Sequence, residues 1–218
     1  MNKVIVCNGE YRSGSTFVYN AVLKLANEAR IEVKLASGGN QAEINRVINS
    51  DLKGLKVLKS HVYQPCAEAR KALVIRSRRN PYAIFNSLAR MKGYDVNNLS
   101  DSNYTKLIDE VIRQKEITRA WKNHLCMDID YEAIYLTPRD VVAHIASFCY
   151  FKVTNNGIGR VTDELSIESV KAHTDKLTKV DCRDQWRPNH ISKEMGRSDA
   201  WMTNIPEEIL QRIEDALD

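Results

Sequence analysis

The chain has 218 residues, of which 43% are hydrophobic and 28% charged, and its formal net charge is +4. This length and composition are typical of a globular protein that buries one sizeable core, so we expect a single domain over residues 1–218. A positive charge of this size fits a site for a small polyanion and is too weak to indicate nucleic-acid binding.

Short apolar runs that alternate with helical patterns define the predicted elements. Strands are expected, in chain order, over 3–7, 31–35, 55–59, 72–76 and 126–131. Helices are expected over 15–29, 41–49, 80–91, 104–124, 138–150, 166–178 and 206–217. This alternation indicates an α/β, three-layer P-loop-type fold, in which helices flank a central parallel sheet. Ligands of such folds bind beyond the carboxyl ends of the strands, so the residues that follow each strand form the candidate site.

The first predicted strand is followed by Gly-Glu-Tyr-Arg-Ser-Gly-Ser-Thr at residues 9–16, which is similar to the phosphate-binding loop G-x-x-x-x-G-K-[ST]. A glycine-containing loop between a strand and a helix directs backbone N–H groups at an anion. Ser15 stands at the usual lysine position, and the nearest cation is Arg12. The loop therefore predicts a phosphate-like group that is held differently from the phosphates of ATP. A plain glycine turn is the alternative.

Lys59 and His61 follow the third predicted strand and are two residues apart. On extended backbone, this spacing places both side chains on the same side. A cation beside an imidazole suits acid–base chemistry on an anionic substrate. A half-exposed histidine near a solvated lysine gives the same pattern.

Arg79 follows the fourth predicted strand, and Asn80-Pro81 next to it favours the start of a helix. Ser87 lies eight residues after Arg79, which is about two helical turns. A guanidinium and a hydroxyl so placed can bind one phosphate together. A surface arginine and an ordinary helical serine are the alternative.

The last predicted strand ends at Tyr131, whose ring either packs on a base or completes the core. Residues 196–201, Gly-Arg-Ser-Asp-Ala-Trp, precede the final helix. This segment either closes over a nucleotide or anchors the helix through Trp201.

The five cysteines are Cys7, Cys66, Cys126, Cys149 and Cys182, and they form no C-x-x-C pair. Their odd number and spacing indicate a reduced compartment and give no zinc-site pattern, so no metal is expected. No apolar run approaches the roughly 20 residues of a membrane-spanning helix, and the first strand lies too close to Met1 for a signal peptide. A cytoplasmic protein is expected.

In this order, the segments resemble the motifs of the sulfotransferases that use 3′-phosphoadenosine-5′-phosphosulfate (PAPS). Residues 11–17 resemble the 5′-phosphosulfate loop, and residues 59–61 resemble the K-[ST]-H strand end that carries the catalytic base. Residues 79–81 with Ser87 are similar to the 3′-phosphate motif. Tyr131 with Glu132 is similar to the Y-E-D segment, and residues 196–213 are similar to the last nucleotide-contacting loop and helix.

The chain departs from the family pattern at two places. The loop cation is Arg12, where the cytosolic small-molecule branch of the family has lysine. Glu194 and Met195 occupy the two positions that are basic in the terminal R-K-G pattern of the family. Arg197 or Lys193 is expected to supply the missing positive charge.

The resemblance implies transfer of a sulfuryl group from PAPS to a hydroxyl or amine of a small-molecule or carbohydrate acceptor, with 3′,5′-ADP as the product. It assigns His61 as the general base, and Lys59 and Arg12 as cations that stabilise developing charge. The residues expected to bind the donor are Arg12, Ser13, Gly14, Ser15, Thr16, Phe17, Arg79, Ser87, Tyr131 and Arg197.

Two other functions fit the loop. A small-molecule or nucleoside kinase using ATP needs a strand-end aspartate for Mg²⁺, and the strand ends at Lys59 and Arg79 supply none. A non-catalytic nucleotide-binding or partner-binding protein would keep the fold without turnover, and the intact Lys59–His61 pair disfavours it.

Overall fold

A five-stranded parallel sheet, in the order β2-β3-β1-β4-β5, forms the centre of the molecule. The strands are β1 (Lys3–Gly9), β2 (Val33–Ser37), β3 (Leu55–Ser60), β4 (Leu73–Arg78) and β5 (Leu125–Asp130). The predicted α/β fold with a parallel central sheet is confirmed. The computed structural model describes residues 3–37, 42, 46, 50, 53–63, 72–179, 185–186, 188, 199 and 201–217.

Helices and short 3₁₀ turns connect the strands. The α-helices are α1 (Ser15–Glu28), α2 (Pro81–Met91), α3 (Asp101–Ala120), α4 (Tyr131–Leu136), α5 (Pro138–Phe148), α6 (Asn155–Glu164), α7 (Ile167–Thr174), α8 (Trp201–Asn204) and α9 (Glu207–Leu217). The 3₁₀ turns are Val96–Asn98 and Trp121–Asn123. Of the helix predicted over 41–49, only residues 42 and 46 are described, and both are helical.

Alternate residues of β1 pack on opposite faces of the sheet, as the period of a strand requires. Ile5 and Cys7 belong to the core that α1, α5, α6 and α7 cover. Val4 and Val6 face the other side, where Trp121 packs on them. A third apolar cluster joins α2, α3 and α9. The apolar run of β1 is therefore buried on both faces, which is typical of a central parallel strand.

Three strand ends lie side by side at the carboxyl edge of the sheet. Gly9 pairs with Ser77 of β4, and Asn8 pairs with Ser60 of β3. Because β1 lies between β3 and β4, the chain crosses over β1 at this point, and such a crossover opens a crevice at the carboxyl ends of the strands. The segments after β1, β3 and β4 consequently meet in one place.

The observed elements depart from the predicted ones at several ends by a few residues, and two departures concern a whole residue role or element. The last strand ends at Asp130, and Tyr131 begins α4 instead of ending β5. Helix α6 lies in a region where no helix was predicted. The start of α2 agrees with prediction: Pro81 is its first residue, and the side chain of Asn80 accepts the N–H of Tyr82 at 2.9 Å.

The carboxyl-terminal segment packs on α2. The ring of Trp201 stacks on that of Tyr82, with 4.9 Å between the centroids. This contact favours the anchoring role of Trp201. Within the described ranges, no helix combines the length and apolar character needed to cross a bilayer.

Candidate functional site

Residues 10–14 connect β1 to α1, and two glycines let this loop pack closely on its neighbours. Gly14 precedes α1 in the left-handed conformation, with φ 84°, and a Cβ built on it would lie 2.7 Å from Cδ1 of Ile134. A Cβ built on Gly9 would lie 2.1 Å from Oγ of Ser77. Both distances are too short for a side chain. Space therefore requires glycine at Gly9, where Cβ of Ser15 also lies at 2.7 Å, whereas at Gly14 it is the backbone conformation that requires glycine.

The first turn of α1 has the properties of an anion-binding helix terminus. No side chain in the described part of the chain caps this end, and the first N–H groups of an α-helix lack intrahelical acceptors. Those of Ser15, Thr16 and Phe17 lie at the positive end of the helix dipole. The Phe17 ring packs in the core, a position that the sequence did not predict. Its packing on a base stays a prediction.

Ser13 shapes the loop from within. Its fully buried hydroxyl lies 2.6 Å from the carbonyl oxygen of Glu10, 2.9 Å from that of Ser77 and 2.8 Å from the Ser77 hydroxyl. Its backbone N–H donates to the Glu10 carbonyl at 3.2 Å. The hydroxyl and the N–H of Ser13 are thus engaged inside the protein, and the hydroxyl holds the loop against β4.

Arg12 and Arg79 connect the loop to the start of α2. Nε of Arg12 donates to Oγ of Ser87 at 2.9 Å, and Nη1 of Arg79 donates to the Arg12 carbonyl at 3.0 Å. The Arg79 guanidinium lies over the ring of Tyr131, 4.0 Å from its centroid. The structure therefore brings together four predicted site residues, Arg12, Arg79, Ser87 and Tyr131, from three separate segments of the chain.

Tyr131 lies within the field of both guanidinium groups. Burial raises the pKa of Tyr131 above its ordinary value, although the positive charges of Arg79 and Arg12 act in the opposite direction. The phenol consequently keeps its proton at neutral pH.

Lys59 and His61 both contact the junction between β1 and α1. Nζ of Lys59 donates to the Thr16 hydroxyl at 2.6 Å. Nδ1 of His61 lies 2.7 Å from the carbonyl oxygen of Gly9, and the His61 ring packs against Tyr11, with 4.6 Å between the centroids. A carbonyl oxygen only accepts, so Nδ1 carries the proton and the neutral ring has its lone pair on Nε2.

Glu10, which the sequence reading did not single out, organises the back of the site. Only 1% of Glu10 is exposed, and its carboxylate accepts the backbone N–H of Arg79 at 2.9 Å. Lys115 of α3 lies 3.1 Å from the same carboxylate and donates to the Arg79 carbonyl at 3.0 Å. The sequence did contain a signal for this role, namely an acidic residue in a loop predicted to bind an anion. A buried carboxylate there needs a cation or hydrogen-bond donors of its own.

The remaining predicted residue, Arg197, lies outside the described residues. Across the described ranges, no cluster of three His, Cys, Asp or Glu side chains is arranged to hold a metal ion.

Solved structures share this fold, whereas no protein-family model and no curated protein matches the chain in sequence. Mouse sulfotransferase SULT7A1, crystallised with PAP, is 13% identical, with 99% of this chain and 82% of that chain aligned and a TM-score of 0.71. Retinol dehydratase, crystallised with androsterone and the inactive cofactor PAP, is 14% identical, with 99% and 79% aligned and a TM-score of 0.66.

The sulfotransferase domain from the curacin biosynthetic pathway is 15% identical, with 100% of this chain and 98% of that chain aligned and a TM-score of 0.55. At such identities the likeness shows the fold. The chain has the fold of the PAPS-dependent sulfotransferases, as the resemblance of its motifs predicted.

Proposed function

We propose that this protein is a sulfotransferase that moves a sulfuryl group from PAPS to a hydroxyl or amine of a small-molecule or carbohydrate acceptor. The observation that carries the proposal is the meeting of three segments at one edge of the sheet. The Lys59–His61 strand end contacts Gly9 and Thr16, and the Arg79–Ser87 pair contacts Arg12, so both lie against the segment that joins β1 to α1. Proteins of the same fold have been crystallised with PAP, which is 3′,5′-ADP.

The residues present fit a donor with an anionic group at each end. The first turn of α1 and Lys59 suit the 5′-phosphate, because helix N–H groups and an ammonium group favour negative charge. Arg79 and Ser87 suit the 3′-phosphate.

His61 is assigned as the general base. Its Nδ1–H is oriented by the Gly9 carbonyl, so Nε2 takes the proton from the acceptor hydroxyl or amine. As that proton leaves, the acceptor atom forms its bond to sulfur, and the bond between sulfur and the 5′-phosphate oxygen breaks. The donor supplies the activated sulfuryl group, and 3′,5′-ADP departs with the electron pair of the broken bond. Lys59 is the cation placed to stabilise the charge that develops there.

The acceptor is assigned only by chemical class. Androsterone and retinol, found with retinol dehydratase, each carry a hydroxyl group. In this chain, Tyr11 packs on His61, so a ring lies next to the position where an acceptor must give up its proton. An apolar or ring-bearing alcohol is consistent with that surface.

The first experiment compares ligands by thermal unfolding of the whole chain. The proposal predicts that 3′,5′-ADP at about 100 times its Kd stabilises the fold by about 2.7 kcal/mol and raises the Tm by about 5–10 °C. ATP with Mg²⁺ is expected to raise it much less. A larger rise with ATP and Mg²⁺ than with 3′,5′-ADP would favour a kinase and contradict the proposal.

The second experiment screens hydroxyl- and amine-bearing acceptors with ³⁵S-labelled PAPS. Formation of a labelled product that is lost in His61→Ala supports the enzyme assignment. Tight binding of 3′,5′-ADP without any transfer, across steroids, retinoids, phenols, amines and sugars, would instead point to a binding protein that keeps the fold without turnover.

A further inference from the structure

Two contacts of the His61 ring come from one short segment, residues 9–11. Nδ1 of His61 lies 2.7 Å from the carbonyl oxygen of Gly9, the last residue of β1. The Tyr11 ring packs on the His61 ring, with 4.6 Å between the centroids and 54° between the planes. This segment therefore supplies both a hydrogen bond and a packing surface to the residue assigned as general base.

The two contacts restrict different motions of the imidazole. A hydrogen bond from Nδ1 holds that atom in place, and it does not by itself fix the rotation of the ring about the line from Nδ1 to the Gly9 oxygen. A neighbouring ring restricts this rotation, because aromatic rings pack in preferred relative orientations. Tyr11 is thus placed to set the direction in which Nε2 of His61 points.

Helix α3 holds Tyr11 in position. The backbone N–H of Tyr11 donates to Oε1 of Gln114 at 3.2 Å, and only 1% of Gln114 is exposed. The Arg113 guanidinium lies 5.9 Å from the centroid of the Tyr11 ring, within the range of a cation–π contact. Glu110 connects the two α3 residues, because its carboxylate accepts Nη2 of Arg113 at 2.6 Å and Nε2 of Gln114 at 3.0 Å. A hydrogen-bonded cluster on α3 therefore determines where the Tyr11 ring lies.

The orientation of a general base affects the rate of proton transfer. The base must lie within about 2.6–3.2 Å of the atom that gives up the proton, and a misplacement of about 1 Å can cost roughly 100-fold in rate. Rotation of the His61 ring would also weaken the hydrogen bond to Gly9 that selects the Nδ1–H tautomer. Loss of the Tyr11 ring is therefore expected to slow the chemical step.

We propose that Tyr11 is a positioning residue for His61: its ring, held by α3, fixes the orientation and the Nδ1–H tautomer of the imidazole, so that Nε2 is presented to the acceptor. This inference rests on the proposed function. It adds to that function a role for α3, which lies outside the motifs of the sequence.

The kinetic test compares Tyr11→Ala with Tyr11→Phe in the whole chain, with labelled PAPS and an acceptor found in the screen. Tyr11→Ala is expected to lower kcat by about 10–100-fold, because the base loses its alignment. The acceptor KM is expected to change by less than about threefold, since the effect lies in the transition state. Tyr11→Phe keeps the ring and is expected to retain most of the turnover.

A second measurement reads the imidazole directly and needs no turnover. The nitrogen NMR shifts of ¹⁵N-labelled histidine distinguish the two neutral tautomers, and His61→Ala identifies the His61 signals among those of the five histidines. The unsubstituted chain and Tyr11→Phe are expected to show the Nδ1–H tautomer of His61. Tyr11→Ala is expected to show exchange between the two tautomers.

The control is Tyr150→Ala, which removes an exposed tyrosine ring that follows α5 and is expected to change neither kcat nor the His61 signals. The 3′,5′-ADP affinity of Tyr11→Ala serves as its folding control and is expected to stay within about twofold. If Tyr11→Ala does not fold, Tyr11→Leu takes its place with the same expectations. That variant keeps an apolar side chain against the cluster of α2, α3 and α9 on which Tyr11 packs.

A fall in kcat with unchanged 3′,5′-ADP affinity, together with altered His61 signals, supports the inference. Unchanged His61 signals in Tyr11→Ala would overturn it. A higher acceptor KM at unchanged kcat would also overturn it and make Tyr11 an acceptor contact. Failure of the unsubstituted chain to bind 3′,5′-ADP or to transfer sulfate is a separate outcome: it would overturn the proposed function, whereas the NMR measurement would still show whether Tyr11 orients His61.

Discussion

Cations at the carboxyl edge of the sheet contact different groups from the cations on the outer surface of α1 and α6. On that surface, Lys24 pairs with Glu164 at 2.5 Å and Arg160 pairs with Glu28 at 2.6 Å. At the sheet edge, the contacts of Arg12, Lys59 and Arg79 described above go to hydroxyl groups, a carbonyl and an aromatic ring.

The two regions therefore show two ways of holding a cation: ion pairs on the surface, and hydrogen bonds to neutral groups at the edge. A hydroxyl or carbonyl contact orients a cation and contributes no formal negative charge, whereas a carboxylate both orients and neutralises it. Glu10 is the instructive case at the edge, because its buried carboxylate is matched by Lys115. The Glu10 carboxylate also accepts the backbone N–H of Arg79, so it fixes the backbone from which the Arg79 side chain extends.

The largest effect is expected from His61→Ala. Loss of a general base lowers turnover by roughly 10²–10⁴-fold, while 3′,5′-ADP affinity is expected to stay within about twofold, because His61 is not assigned to the nucleotide. Steady-state rates with a confirmed acceptor and calorimetric Kd values measure the two quantities. His144→Ala, at an exposed histidine of α5, is the control and should change neither. A collapse of nucleotide binding in His61→Ala would show that the ring belongs to the donor site.

Glu10→Gln is expected to have the next largest effect, this time on stability. It leaves the partly buried Lys115 beside a neutral amide, so the free energy of unfolding should fall by about 2–4 kcal/mol. Urea denaturation measures this change. Adding Lys115→Met should recover part of the loss, since the unpaired charge is then removed as well.

The surface counterpart of that variant is Glu164→Gln, which breaks the pair with Lys24. It should lower the free energy of unfolding by less than about 1 kcal/mol. Equal losses of unfolding free energy in Glu10→Gln and Glu164→Gln would mean that the buried ion pair at the sheet edge stabilises the fold no more than the surface ion pair does.

Gly14→Ala is expected to act through both backbone and packing. The left-handed conformation of alanine costs about 1–2 kcal/mol, and the new Cβ also meets Ile134 at 2.7 Å. Gly93→Ala is the matched control, because Gly93 has a φ of 71° and nothing within 4 Å of its added Cβ. In urea denaturation both variants should have a lower free energy of unfolding, and the loss should be larger in Gly14→Ala. Only Gly14→Ala should bind 3′,5′-ADP more weakly. Unchanged 3′,5′-ADP affinity in Gly14→Ala would show that the loop before α1 does not contribute to nucleotide binding.

Much of the fold could be predicted from local patterns. The strands of the sheet are apolar runs with turn residues after them, and Asn80-Pro81 is a strong local signal for the start of α2. Helix α6 escaped prediction because its first residues include Gly157 and Gly159, which are poor helix formers. Tertiary packing overrides that preference: Val161 is buried in the core, and the Thr154 side chain accepts the N–H of Gly157 at 3.1 Å.

The site was predictable as a set of motifs but not as a set of contacts. Motif order indicated that Arg12, Lys59, His61 and Arg79 would gather at one sheet edge. The pairing of Arg12 with Ser87 depends on how far α2 lies from the loop, which no local pattern contains. The role of Glu10 was missed for the same reason, since its partner Lys115 lies on α3, 105 positions away.

The smallest effect is expected from Arg160→Ala. The hydrogen bond from Arg160 holds the pKa of Glu28 below its ordinary value, so the variant should raise that pKa, which an NMR titration of the carboxyl group measures. A carboxylate with a lowered pKa contributes stability above its unfolded pKa and loses it as the pH falls through the folded one. Because the Arg160 side chain is exposed, the Tm at pH 7 should change less than in Glu10→Gln or Gly14→Ala. A fall in Tm as large as that of Gly14→Ala would mean that ion pairs on α1 and α6 stabilise the fold as strongly as the packing of the loop does.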